Sequence, residues 1–194
     1  MLLLLSTTWA ATLSVGSSQS YTTLQAAVNA ASDGDIIEVD AGTYAESVRV
    51  DKDLTISTSA GAVIAAPSGK NGFFLDGAEV SLSGFTIEGA NKSAIKIDGG
   101  EVTLDDLTID GGGDSAIDGG GVWISDATVW IIDLTVEDTV GRKGGALYIV
   151  EGSVVDLDSV TLEGCSASWG GGVRVEDSTL TGDDVTIEDA SATY

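Results

Sequence analysis

The 194-residue sequence lacks histidine and contains a single cysteine, Cys165. The absence of histidine excludes Ser-His-Asp triads, histidine-ligated zinc and imidazole acid–base chemistry. A single cysteine excludes an internal disulfide and a Cys-x-x-Cys site, so we expect Cys165 to be a free thiol or a small buried side chain. Beyond the N-terminal segment no stretch approaches the roughly 18 apolar residues of a membrane-spanning helix, so none is predicted.

Basic residues are scarce as well. Eight Lys and Arg residues stand against 31 Asp and Glu residues, which gives a formal net charge of 8 − 31 = −23 at pH 7. A surface this negative repels phosphate backbones, which excludes nucleic acid as a partner. The 43% of hydrophobic residues is still enough for a core, and the length is typical of one domain or one elongated array.

The N-terminal segment resembles a targeting sequence. Residues 1–11 (MLLLLSTTWAA) form a short apolar run that ends in small residues, with a plausible cleavage point after Ala10 or Ala11. The run is too short to cross a membrane and fits a secretory signal peptide, although it has no Lys or Arg at its start. The alternative is a buried first strand. The signal interpretation predicts a secreted or cell-surface protein.

An internal repeat organises most of the chain. A triplet of the form apolar-Thr-apolar occurs six times, at intervals of 31, 22, 27, 26 and 25 residues. The copies start at Leu54, Phe85, Leu107, Leu134, Val160 and Val185. We call them the third series because two other series precede them in each unit.

The first and second series are triplets of alternating character that run in step with the third. The first series comprises the triplets centred on Phe74, Lys96, Trp123, Tyr148 and Arg174, with the triplet centred on Glu38 as an earlier copy. The second series comprises the triplets centred on Arg49, Ser81, Thr103, Trp130, Asp156 and Thr181. In each triplet the outer residues are predicted to face the core and the middle residue to face solvent.

The connections between these strands define the fold. Four residues separate the first strand from the second, two separate the second from the third, and a Gly-rich loop of 7 to 12 residues returns to the next unit. Such a unit closes one turn of a coil, and equivalent strands of successive turns stack in parallel about 4.8 Å apart. We therefore predict an all-β, three-sheet parallel β-solenoid of about six turns over residues 35–194.

A cap is predicted in front of the first turn, over residues 12–34. Thr22 and Gln25 occupy the reciprocal positions of a capping box, which predicts a helix at about residues 22–31. A helix there would cover the open end of the strand stack. At the other end the repeat stops in the middle of a turn, so we expect that the chain is truncated there.

Residues 19–56 resemble a known superfamily. The segments YTTLQAAV, GDIIEV, AGTYAE and KDLTI are similar to the start of right-handed parallel β-helix proteins of the pectate-lyase-like superfamily. The Gly-Gly-rich units near Leu147 and Val173 also resemble polymorphic outer-membrane repeats of bacterial surface proteins. The first resemblance implies a right-handed parallel β-helix and a secreted protein. It also implies either a polysaccharide lyase, hydrolase or esterase, or an adhesive or structural member without activity.

The first sheet is predicted to carry a column of outward side chains. Aromatic residues in a solvent-facing column are unusual, and sugar rings stack on such faces while a uronic-acid carboxylate can pair with a flanking cation. The alternative is packing, with the aromatic rings covered by the loops and the cations held against them by cation–π contacts. The candidate ligand-binding residues are Phe74, Lys96, Trp123, Tyr148 and Arg174. A polysaccharide or cell-surface glycan is the predicted partner.

Catalysis on the same face would need paired carboxylates, or a Ca²⁺ site with a basic residue as proton acceptor. Acidic side chains follow several first-series strands, but no pair stands out. The weak catalytic candidates are Asp98, Asp126, Glu151 and Arg174. We therefore expect a binding or structural role, with a polysaccharide lyase or hydrolase as the alternative.

The third sheet is predicted to carry a column of threonines at positions 55, 86, 108, 135, 161 and 186, followed two residues later by carboxylates. Stacked like charges repel one another, which favours bound cations or a salty medium, and Ca²⁺ suits all-oxygen sites. The alternative is a hydrated surface whose charge prevents aggregation. This interpretation requires no cofactor. The weak metal candidates, which would hold Ca²⁺, are Glu88, Asp110, Glu137, Glu163 and Glu188.

Overall fold

The computed structural model describes residues 9–194, so the first eight residues of the candidate signal peptide lie outside the described part of the chain. The described residues form a parallel β-solenoid of about seven turns with one short helix. Every pair of neighbouring strands runs in parallel, and the register joins residues one turn apart in the sequence. The predicted all-β parallel β-helix is therefore confirmed, with one turn more than the repeat count indicated.

The strands are short near the N-terminus and long in the middle, where two strands each continue around successive corners of the solenoid. The helix α1 covers Leu24–Ala30. The strands are β1 Thr12–Val15, β2 Asp35–Val39, β3 Gly42–Tyr44, β4 Val48–Val50, β5 Leu54–Ala65, β6 Phe73–Asp76, β7 Glu79–Glu88, β8 Ile95–Gly113, β9 Val122–Lys143, β10 Leu147–Val150, β11 Val154–Glu163, β12 Ser166–Trp169, β13 Val173–Val175, β14 Thr179–Glu188 and β15 Ser191–Ala192.

The core is a continuous column of inward aliphatic side chains along the solenoid axis. The first and third residues of most triplets are buried, as the alternating pattern requires. Phe73 and Phe85 add an edge-to-face aromatic pair with ring centroids 5.6 Å apart. In the last turn the inward positions Val185 and Ile187 are 38% and 50% exposed, because no later turn of the described chain covers them.

The corners of the solenoid explain part of the acidic composition. Most corners contain a residue with a positive φ, a conformation that Gly adopts freely and that Asp tolerates better than most residues. Between the second and third sheets this position is filled by Gly84, Asp106, Asp133, Ser159 and Asp184 in successive turns. Among residues 9–194, nine non-glycine residues have positive φ, and seven of them are aspartates. Many carboxylates therefore serve the backbone conformation of the turn.

Helix α1 caps the first turns, but its boundaries differ from the prediction. The N-cap is Thr23, whose hydroxyl accepts from the Ala26 amide at 3.3 Å, so the predicted capping box at Thr22 is wrong. Gln25 instead exchanges two hydrogen bonds with the backbone of Arg49, at 2.7 and 3.1 Å, and so closes the edge of β4. The sequence pattern marked the helix correctly but could not show that a distant strand would take the Gln25 side chain.

Two charged side chains hold the ends of α1. The Glu46 carboxylate accepts from the backbone amides of Leu24 and Gln25 at 2.8 and 2.9 Å. Lys52 donates to the carbonyls of Val28, Asn29 and Ala31 at 3.0, 3.0 and 2.6 Å. An anion at the helix N-terminus and a cation at its C-terminus match the helix dipole and satisfy the free backbone groups.

The first turn of the repeat requires three corrections. The triplet centred on Arg49 pairs with the one centred on Phe74, so it belongs to the first sheet and not to the second. Thr55 pairs with Ser81 and lies in the second sheet, while Val63 occupies its expected place in the third. The triplet centred on Glu38 pairs with β5 and is therefore also in the second sheet. A register irregularity between Ser57 and Ala62 lengthens this turn. The first triplets of the three series were therefore predicted in the wrong sheets.

The loops that return to the first sheet are ordered in the later turns. The end of β9 pairs with β12, and β12 pairs with β15, so a further short ladder forms beside the third sheet. The repeat pattern predicted only variable loops in these segments. Within residues 9–194, no helix has both the length and the apolar character needed to cross a bilayer.

Candidate functional site

The predicted column of the first sheet exists in the structure. The middle residues pair one turn apart without a break, so that Trp123 lies between Lys96 and Tyr148. Arg49 takes the place that was expected for Glu38, and both ends of the column are therefore cationic. In order along the axis the column is Arg49, Phe74, Lys96, Trp123, Tyr148 and Arg174.

Lys96 is inserted between two aromatic rings. Its ammonium nitrogen lies 4.7 Å from the ring centre of Phe74 and 4.6 Å from that of Trp123. The same nitrogen lies 3.0 Å from a carboxylate oxygen of Asp98. Arg49 covers Phe74 at 5.6 Å from the other side and forms an ion pair with Asp76. Cation–π contacts therefore cover the column from Arg49 to Trp123, as the packing alternative predicted.

Tyr148 is buried, with 5% of its surface exposed. Its hydroxyl donates to a Glu176 carboxylate oxygen at 2.7 Å and accepts from Lys143 at 3.2 Å. Lys143 also lies over the Tyr148 ring, with 5.4 Å between its nitrogen and the ring centre. The ring therefore offers no open face for a sugar, which removes Tyr148 from the predicted stacking surface.

Glu176 is the centre of this polar cluster. It accepts from Tyr148, from Lys143 at 3.1 Å and from Arg174 at 2.9 to 3.0 Å. These donors, with the Tyr148 hydroxyl first, lower the pKa of Glu176 from 4.5 to about 2. Burial, followed by the hydrogen bond to Glu176, raises the pKa of Tyr148, and the bonds to Tyr148 and Glu176 raise that of Lys143. Glu176 is thus an ionised acceptor at neutral pH and remains so below the usual pKa of a glutamate.

A cleft of about 380 Å³ opens beside this cluster on the first-sheet face. Trp123 is partly exposed along it, and carboxylates surround the opening. Asp118 forms a two-bond ion pair with Arg142, at 2.7 and 2.8 Å. The lining side chains include Asp118, Trp123, Tyr148, Glu151, Glu176 and Asp177. An aromatic wall beside hydrogen-bond acceptors is a suitable surface for a sugar ring and its hydroxyl groups.

The four weak catalytic candidates occupy different surroundings. Asp98 is paired with Lys96, Asp126 is an exposed corner residue with φ 51°, and neither lines the cleft. Glu151 does line it, and its carboxylate accepts from the Ser125 hydroxyl. Arg174 is held by Glu176. The structure therefore brings only Glu151 to the cleft itself and does not assemble the four residues into one centre.

The carboxylate column of the third sheet is also in register. Its five members pair in consecutive turns, in the order Glu88, Asp110, Glu137, Glu163 and Glu188. In the part of the chain that the structure describes, however, no three Cys, Asp or Glu side chains converge on a position that could hold a metal ion. A column keeps its members one strand spacing apart, so it does not enclose a cation. The predicted Ca²⁺ interpretation of these residues is therefore not supported.

Sequence reasoning did not place Lys143 or Arg142 at the site and did not recognise Glu176 as its centre. Glu176 could have been found, because it follows Arg174 by two residues and so emerges on the same face of β13. Lys143 and Arg142 come from the end of β9, in the returning segment, where no repeat pattern marks their position.

The chain aligns with solved structures but with no known sequence family. No protein-family model matches the chain, and no curated protein matches it in sequence. Among solved structures, the pectin methylesterase from Aspergillus niger in deglycosylated form aligns with 95% of this chain and 86% of its own, at 14% identity and a TM-score of 0.37. The penultimately deglycosylated form of that enzyme aligns over the same shares at 13% identity and a TM-score of 0.33. Neither likeness is close enough to transfer a function.

Proposed function

We propose that this protein is a secreted or cell-surface β-solenoid that binds an uncharged polysaccharide in the first-sheet cleft without altering it chemically. The observation that carries the proposal is the position of Trp123. Its indole is partly exposed in a cleft of about 380 Å³ that also presents carboxylate acceptors. Sugar rings stack on indole through their C–H faces, and their hydroxyl groups donate to carboxylates.

The charge balance of the cleft favours an uncharged ligand. Lys143 and Arg174 are engaged by Glu176, Arg142 is engaged by Asp118, and Lys96 by Asp98. The prediction that a uronic-acid carboxylate would pair with Lys96 or Arg174 is therefore weakened, because binding would have to break an existing ion pair. Glu151 and Asp177 form no ion pair with any residue from 9 to 194. The Asp177 carboxylate and the Glu151 oxygen that does not accept from Ser125 are therefore open to sugar hydroxyl groups.

The proposed stacking surface is smaller than the sequence suggested. Phe74 is enclosed by Arg49 and Lys96, and Tyr148 is buried beneath Lys143. Trp123 is thus the ring that remains for a ligand. A single platform with adjacent acceptors suits one or two sugar units of a chain.

Calorimetric titration with neutral oligosaccharides tests this function. Wild-type protein should bind at least one β-glucan, mannan or galactan oligomer, and Trp123→Ala should weaken that binding by about tenfold. Trp130→Ala removes an exposed indole from the second sheet and serves as the matched control, since it should leave the affinity unchanged. Absence of binding across the panel, or equal loss in both variants, would remove the proposal.

The alternative function is a polysaccharide lyase or hydrolase, for which Glu151 is the remaining candidate in the cleft. Its carboxylate would have to act with a second group, because Glu176 is fixed in its ionised form by three donors. Release of reducing or unsaturated ends from pectin-like and alginate-like polymers, and its loss in Glu151→Gln, would replace the binding proposal with catalysis.

A further inference from the structure

A second depression runs along the outer face of the second sheet. It has a volume of about 440 Å³ and lies outside the first-sheet cleft, with which it shares no lining residue. Its floor consists of the middle residues of four consecutive strands, Thr55, Ser81, Thr103 and Trp130. We call this feature the second-sheet groove.

The groove is periodic along the solenoid axis. Its floor residues pair one turn apart, so they follow one another at the strand spacing of about 4.8 Å, and the four turns span about 14 Å. The backbone groups of these strands are already used in the ladders to the turns above and below. A ligand in the groove can therefore contact only side chains, which the floor supplies as three hydroxyl groups.

Trp130 lies at one end of the groove and is 41% exposed. Its vertical neighbours are Thr103 and Asp156, and neither is an aromatic or cationic side chain that would cover the ring. This differs from Trp123, which Lys96 covers on one side. The fold does not require a large apolar side chain at an outward position, and Trp130 is an exposed ring that no aromatic or cationic neighbour in its column covers.

One wall of the groove carries uncompensated negative charge. The Asp53 carboxylate accepts from the backbone amide of Glu79 at 2.8 Å. The Asp33 carboxylate accepts from the backbone amide of Asp53 at 3.3 Å. Glu79 and Glu101 stand in register one turn apart, and within the described residues their side chains accept no hydrogen bond and form no ion pair. An anionic ligand is therefore excluded, and a ligand with ammonium groups is favoured.

We propose that the second-sheet groove is a separate binding site for an extended chain of amino sugars that carry free ammonium groups. One sugar ring stacks on Trp130, the hydroxyl groups of Thr55, Ser81 and Thr103 bond to ring substituents, and Glu79 and Glu101 pair with the ammonium groups. A basic peptide is the weaker fit, because the groove offers no free backbone groups to a second polypeptide. This site does not depend on the function proposed for the first-sheet cleft.

The probes are a glucosamine hexamer, its fully N-acetylated counterpart and an oligolysine of similar length, each titrated at low salt and mildly acidic pH. The glucosamine hexamer should bind wild-type protein at least tenfold more tightly than the acetylated one, since acetylation removes the charge. Trp130→Ala and the double substitution Glu79→Gln/Glu101→Gln should each weaken that binding by about tenfold.

A charge-matched control separates a groove from general attraction to an acidic protein. Glu137→Gln/Glu163→Gln removes the same two charges from the third sheet and should change the affinity by less than about twofold. Equal weakening by both double substitutions, or full binding in Trp130→Ala, would overturn the proposal. Oligolysine binding with the same affinity as the glucosamine hexamer, and with no loss in Trp130→Ala, would also overturn the proposal and would indicate a surface for cationic peptides.

Discussion

The carboxylates of the first and third sheets have neighbouring side chains of different charge. In the first sheet, Glu176 receives hydrogen bonds from Tyr148 and Lys143 and an ion pair from Arg174. In the third sheet, Glu163 has Glu137 and Glu188 as its neighbours one turn away. The same type of side chain is thus stabilised in one place and repelled in the other. On this solenoid the role of an outward residue depends on its neighbours about 25 positions away.

The largest effect is expected at Glu176. Replacing it with Gln removes the charge on which three donors converge, and we expect the free energy of unfolding to fall by about 2 kcal/mol. Chemical denaturation at neutral pH measures this loss. Glu163→Gln is the matched control on the third sheet and should not destabilise the protein. A loss of stability in both variants, or in neither, would break the comparison.

The contribution of Glu176 should also depend on pH. Its pKa is lowered from 4.5 to about 2 in the folded protein, so its stabilisation is complete above about pH 4.5 and disappears as the pH falls towards 2. The stability difference between wild-type protein and Glu176→Gln should therefore shrink over that interval. A difference that stays constant from pH 6 down to about pH 2 would show that the ionised carboxylate is not the stabilising group.

The third-sheet column should respond in the opposite direction. Two unit charges about 4.8 Å apart repel by about 0.9 kcal/mol in bulk water, and Glu137 has two such neighbours, Asp110 and Glu163. Glu137→Gln should raise the unfolding free energy by about 1 kcal/mol at low salt. Added NaCl should stabilise the wild type more than the variant, because salt screens the repulsion that the variant lacks. Melting curves at two salt concentrations decide this.

A corner aspartate should show a third behaviour, in which backbone conformation outweighs charge. Asp106 is exposed and has φ 51°. Asp106→Gly should leave stability unchanged or raise it slightly, whereas Asp106→Ala should lower it by roughly 0.5–1 kcal/mol, because alanine tolerates positive φ poorly. Both variants remove the same charge, so thermal unfolding of the pair isolates the conformational part. Equal stability of the two variants would contradict the claim that the positive φ at position 106 determines the effect of substitution.

The smallest effect concerns Lys96. Its aliphatic stem and ammonium group lie between Phe74 and Trp123, and cation–π contacts at partly exposed sites contribute about 0.5–1 kcal/mol. Lys96→Met keeps the stem and removes the charge, so stability should fall by about 0.5 kcal/mol. Lys70→Met is a control at an exposed lysine outside the column and should have no effect.

The sequence was sufficient for the repeating part of the fold because side-chain alternation and constant corner lengths fix which residues meet. Trp123 and Tyr148 were placed together on this basis alone, and the structure pairs them. The first turn could not be aligned correctly, since the irregularity between Ser57 and Ala62 adds residues that no periodicity reveals. The prediction of a capping helix was correct, but its cap residue depended on contacts with Glu46 and Arg49 from later strands.

The candidate site was less predictable because its chemistry depends on side chains from irregular segments. The repeat indicated that Tyr148 faces outward, yet Lys143 and Glu176 cover it. The charges of Lys96 and Arg174 were visible in the sequence, whereas their pairing with Asp98 and Glu176 required coordinates. Periodicity therefore gives the column, and only the structure shows which of its members are accessible.

A double-mutant cycle between Tyr148 and Glu176 tests most directly whether neighbours one turn apart determine the role of a residue. The two groups are 28 positions apart in sequence and joined by a 2.7 Å hydrogen bond. Unfolding free energies of Tyr148→Phe, Glu176→Gln and the combined variant should give a coupling energy of about 1 kcal/mol, since either substitution alone already breaks the charge-assisted bond. Strictly additive losses would show that the two side chains do not interact and would contradict this account of the first-sheet face.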